Sequence, residues 1–241
     1  MRTKTLLLSA AALLAAGFVS SQAQPVYSQN IVGYANVPTP LASTYYMLAI
    51  PFTIGVSNGA NEIFGNTLPD FSTLLTWDAA HQAFKGVQSD KSSATGWDDA
   101  GFNPVPAPIL PVGQGFFLNL TASGVTNVFA GTVAINVGTS NNMVLPSAST
   151  YYMVSSVVPY AGSVTNGNSS TGGPNLNGLP DFSTVLTWNP ATQSFVGAQS
   201  DASSPTKWDD AGFNPIPAPT LSVGQGFFIN LTGPYTWTTG L

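Results

Sequence analysis

Two stretches of this chain carry nearly the same text, and that repetition limits its folds more than any other feature. Leu68–Leu120 and Leu179–Leu231 align without a gap, and 39 of 53 positions are identical. A site that matters in one copy should therefore recur in the other. The match extends upstream, where Ser43-Thr44-Tyr45-Tyr46-Met47 repeats as Ser149-Thr150-Tyr151-Tyr152-Met153. The extra residues of the second copy fall in 162–178, a Gly-, Asn- and Ser-rich stretch that reads as an exposed loop. Further upstream, residues 30–37 (NIVGYANV) find a weaker counterpart in 131–137 (GTVAINV). The resulting division is a leader at 1–23, a first unit at 24–130 and a second at 131–241.

The apolar runs are short and rich in Val, Ile, Phe, Tyr and Thr. Gly, Pro, Asn and Asp bound them, which is strand grammar. The 19 prolines and 24 glycines leave little room for long helices. The expectation is an all-β fold: two tandem sandwich-like or barrel-like domains arising from an internal duplication. Strands are expected at 45–52, 115–120 and 226–231, with hairpins that turn at Asp78–His81 and Asn189–Thr192. The latter turn has Pro190 presetting its φ. Segments 103–111 and 214–221 place proline at nearly every second position. They cannot feed a central sheet with amide hydrogens, so they read as crossing or edge segments.

The basic start Met1–Lys4, the apolar run 6–19 and the small residues of Ser21-Gln22-Ala23 spell a secretory signal cleaved after Ala23. The run is too short for a good membrane span, and no second one follows. The expected location is therefore secreted: extracellular, cell surface or periplasm. Cysteine is absent, so no disulfide can hold the exported chain. Only 6% of residues are charged, against a usual figure of about 25%. Once the leader is removed, Lys85, Lys91 and Lys207 stand against ten acids. That balance disfavours nucleic acid and anionic membranes as partners, and a weakly charged surface favours self-association.

The repeat separates candidate residues. Asp70, Asp90, Asp98 and Asp99 recur as Asp181, Asp201, Asp209 and Asp210, whereas no lysine recurs. Trp77 and Trp97 recur as Trp188 and Trp208. Trp97-Asp98-Asp99 with Asn103, and Trp208-Asp209-Asp210 with Asn214, form the candidate ligand-binding sets. A ring can stack on a sugar face while amides and carboxylates take its hydroxyls. In this reading Trp97 is exposed and Trp77 belongs to the core; the bland alternative places all four tryptophans in the core. The same aspartates (Asp98, Asp99, Asp209, Asp210) are the candidate Ca²⁺ ligands, although the spacing matches no known metal loop. The bland alternative is that these aspartates cap turns through nearby backbone amides.

Catalysis finds little footing. The single histidine, His81, lies in a turn and aligns with Thr192. Adjacent Asp98 and Asp99 point to opposite sides of a strand, which is poor geometry for an acid/base pair. Gly113-Gln114-Gly115 and Gly224-Gln225-Gly226 lack the lysine and following helix of a phosphate loop, so they read as tight entries into strands that bury phenylalanine. The expected role is that of a non-enzymatic surface or matrix protein, structural or adhesive and self-assembling. The partners are then a second copy or an extracellular glycan; a tandem carbohydrate-binding module is the alternative and a secreted hydrolase the third choice. Because a leading strand opens both units and none follows the second, the last sheet is expected to expose an edge. A neighbour's leading strand could then cover it head-to-tail.

The opening YSQNIVGYANV, the hairpin LTWNPATQSF and the closing VGQGFF strand resemble a family of uncharacterised exported bacterial β-repeat proteins. The resemblance implies export and a β fold; the family has no established activity, so it implies no catalytic residue.

Overall fold

The computed structural model describes residues 31–135, 140–146, 148–167 and 172–240. The expected signal segment lies outside them. The described chain is all-β, with one short helix, α1 (Ala60–Phe64), and one 3₁₀ turn at Leu176–Gly178. The strands are β1 (Val32–Thr39), β2 (Tyr45–Ala49), β3 (Thr73–Asp78), β4 (Ala83–Ser89), β5 (Trp97–Asp98), β6 (Gly115–Asn119), β7 (Val125–Thr132), β8 (Ser140–Leu145), β9 (Tyr151–Ser155) and β10 (Gly162–Ser163). There follow β11 (Thr184–Asn189), β12 (Ser194–Ser200), β13 (Trp208–Asp209), β14 (Thr220–Leu221), β15 (Gly226–Asn230) and β16 (Tyr235–Gly240).

Two five-stranded antiparallel sheets run β2-β6-β3-β4-β5 and β9-β15-β11-β12-β13, the same order in both copies of the repeat. A two-stranded ribbon accompanies each: β1 with β7, and β8 with β16. The two hairpins form where the turn chemistry places them, with Asp78 opposite Ala83 and Asn189 opposite Ser194. The proline segments cross as expected. Beyond the two residues of β14 their ladder contacts are isolated bridges, at Asp98–Pro104, Gly59–Ile109 and Asp209–Pro215.

The leading-strand reading needs correction. Gly131 and Thr132 end β7, paired with Gly33 and Val32, so the boundary at 130 falls inside a strand. Val133 and Ile135 then bury in the first unit's core. Their apolar alternation imitates β1, but they pack where they lie. The true counterpart of β1 is β8, which pairs β16 from Leu145–Tyr235 to Ser140–Gly240. The leading strand that the sequence left missing beside the last strand is therefore β8, from the same unit.

Strand alternation sends neighbours to opposite faces of each sheet. Phe116 and Phe227 enter the cores of their own units. Phe117 and Phe228 enter a third cluster with Met47 and Met153, walled by Tyr45, Leu75, Trp77, Leu186 and Trp188. The two sheets thus meet face to face across an approximate two-fold axis.

Candidate functional site

The Asp/Trp sets are arranged differently from the exposed stacking site expected of them. Trp97 and Trp208 are each only 2% exposed, so neither ring offers a face for stacking. Each borders a polar cavity, of about 330 and 360 Å³. Trp97 donates its indole N–H to Asn61 Oδ1 at 2.7 Å, a bond that suits a core tryptophan. Trp77, expected in the core, is half-buried between the units instead.

Asp99 Oδ1 accepts from Gly101 N at 2.8 Å and Asn103 N at 3.0 Å, and Asn103 Nδ2 reaches both oxygens at 3.1 Å. Asp210 repeats this with Gly212 and Asn214. The Asn103 and Asn214 amides, first among these donors, hold both carboxyls below their ordinary range. Carboxylates ringed by N–H donors cap loops. Asp98 and Asp209 turn to the other side, buried, and each leaves Oδ1 without a hydrogen-bond partner. Asp90 and Asp201 are held below the ordinary carboxylate range, chiefly by the hydroxyls of Ser92 and Ser203. Among the described residues no three His, Cys, Asp or Glu side chains converge to hold a metal ion.

Two other constellations recur instead. The first lies between the units. Trp188 Nε1 donates to Tyr45 O at 2.7 Å, and Trp77 Nε1 to Tyr151 O at 2.8 Å. Gln193 Oε1 accepts from Tyr45 N and Gln82 Oε1 from Tyr151 N, both at 3.0 Å. Each hairpin therefore clamps the edge strand of the opposite sheet. The rings interleave edge-to-face: Trp77–Phe228 and Phe117–Trp188 at 5.1 Å, Phe84–Phe117 and Phe195–Phe228 at 5.7 Å. Such pairs contribute about 0.5–1.5 kcal/mol each beyond their buried area. Two clefts flank this seam.

The second constellation is on the surface. Phe71 and Phe102 pair edge-to-face at 6.4 Å, as do Phe182 and Phe213 at 6.5 Å. Phe102 is 65% exposed and Phe213 64%. All four have φ between 59° and 64°. A bulky residue in the left-handed region is an outlier that costs on the order of 1–3 kcal/mol. Phe102 and Phe213 are held so by the Asp99 and Asp210 loops, whose carboxylates fix the turn. The signal for both constellations was in the text of the repeat: Phe71, Gln82, Phe84 and Phe102 are each identical in the two copies.

The chain matches no family model, no curated protein sequence and no solved structure. The functional reading therefore rests on the chain's own geometry. Among the described residues no helix is long and apolar enough to cross a membrane.

Proposed function

We propose that the chain is an exported, non-enzymatic structural or adhesive protein that makes its contacts through two equivalent aromatic tips, one per repeat. The observation that carries this reading is the pair of exposed phenylalanines held on left-handed backbone in both copies. Strain of this kind is kept where a side chain must stand in a particular place. Exposed aromatic rings lose little entropy when a partner covers them. Scarce surface charge leaves approach between copies, or toward a neutral surface, unopposed. The chain's leader accounts for the exported setting.

The test uses the mature chain and a Phe102→Asn/Phe213→Asn variant, asparagine being tolerant of the left-handed region. Light scattering across a concentration series and adsorption to an uncharged alkyl-coated sensor are the readouts. The wild type should associate or adsorb, and the variant should lose at least about tenfold in either while its Tm is kept or raised. A wild type that stays monomeric and unadsorbed would sink the reading.

A further inference from the structure

We propose that the larger cleft between the units binds a neutral saccharide, with Trp188 as its stacking wall. This site is separate from the aromatic tips and does not depend on them. The cleft holds about 450 Å³, within the roughly 300–1,000 Å³ usual for small-molecule sites, and it lies at an interface between units, where such sites concentrate.

Its walls come from both units. Trp188 and Pro190 face Tyr46, Pro38 and Pro40, and Asn36, Ser222 and Gln225 supply the polar groups. The aromatic wall is fixed in advance, because the Trp188 N–H is held by Tyr45 O and the Tyr46 hydroxyl accepts from Leu41 N at 3.0 Å. Gln225 Oε1 accepts from Ser222 N at 2.8 Å, which orients the amide and leaves its Nε2 as a donor. A flat apolar wall beside a few aimed amide and hydroxyl groups suits a sugar ring, which carries C–H on its faces and hydroxyls on its rim. No charged side chain lines the cleft, so a charged ligand would lose its hydration without meeting a counter-charge. The ligand is therefore neutral.

The approximate two-fold axis supplies an internal control. The opposite cleft is built from the equivalent residues Trp77, Gln114 and Tyr152, yet it holds only about 260 Å³. Met143 stands there where Val37 stands in the larger cleft. Its Cε lies against Gly113, as Val37 Cγ2 lies against Gly224. The longer side chain fills what valine leaves open, so one ligand per chain is expected.

The experiment is calorimetric titration, with tryptophan fluorescence alongside, using cellotriose, maltotriose, xylotriose and N,N′,N″-triacetylchitotriose, and a proline-rich hexapeptide as comparison. At least one trisaccharide should bind with one site per chain. Val37→Met copies a residue that the fold already carries in the twin cleft, so it should keep Tm and weaken binding at least about tenfold. Gln225→Ala should weaken it too. Three results would each overturn the proposal: no heat from any of the four sugars at millimolar concentration, unchanged affinity in Val37→Met, or binding of the peptide alone. The Phe102→Asn/Phe213→Asn variant should bind the sugar as the wild type does, which keeps this outcome apart from that of the aromatic tips.

Discussion

Asp99 uses both carboxyl oxygens on its own loop, and Glu62 does much the same. The Glu62 carboxylate accepts from Val56 N, Ser57 N and Gly59 N, and Val56, Gly59 and Ser57 in that order pull its pKa from 4.5 to about 2. Asp90, Asp99, Asp201 and Asp210 are lowered as well. A depressed pKa means that the folded state prefers the charged form. The stability it contributes is complete above the ordinary carboxylate range and is lost as pH falls through the folded values. Tm should therefore hold down to about pH 5 and fall steadily toward pH 2, and less steeply in Glu62→Gln; a flat profile over that range would contradict these loop contacts. Turn-capping by the repeated aspartates was legible in the sequence, because the aspartates sit among Gly, Ser and Asn. The relative burial of the tryptophans was not, although a core place for all four was one of the two readings. Trp77 follows an apolar run and Trp97 a polar one, yet Trp97 is buried and Trp77 lies at the seam. Local composition reports how wet the neighbours are, and a side chain answers to what packs across from it.

The strand Gly226–Asn230 shows how an element can be legible in place and opaque in purpose. Its position and that of Gly115–Asn119 follow from GFF flanked by turn residues. The glycines, however, are not only strand entries: they are where the two sheets touch. A Cβ on Gly226 would come within 2.8 Å of Leu48 O and 3.1 Å of Gly115 Cα, both backbone atoms that cannot rotate away. Gly226→Ala should destabilise the chain by about 1–3 kcal/mol, read from denaturant midpoints, because the sheets must part to admit the methyl group. An unchanged midpoint would mean that the seam is looser than these distances imply. Sequence pattern could not expose this. With both faces of β6 and β15 covered, one face by the core and one by the other sheet, period-2 alternation carries no polar face to read. The misplaced counterpart of β1 has the same root. GTVAINV and NIVGYANV share an apolar rhythm, and only the pairing partner tells a strand's opening from its continuation past β7.

At the scale of the molecule, the seam is built from like parts on both sides: Trp77 with Trp188, Gln82 with Gln193, Phe117 with Phe228. A surface that meets its own equivalent in this way is complementary to itself. Residues 140–240 alone, which keep β8 with β16 and one whole sheet, should therefore form a homodimer in solution. Multi-angle light scattering after gel filtration would show twice the single-unit mass, and a Trp188→Ser change in that piece should shift the population to monomer. A wild-type half that remains monomeric would show that the seam needs residues that differ between the copies.

The contrast between Val37 and Met143 has a wider consequence. In a symmetric pair of separate chains every substitution is written twice, so an opening made on one side is made on both, and a filler blocks both. One continuous chain escapes that rule. It can enlarge a space on one side of its axis and brace the opposite side with a methionine, keeping the packing of a symmetric body and the selectivity of a lopsided one.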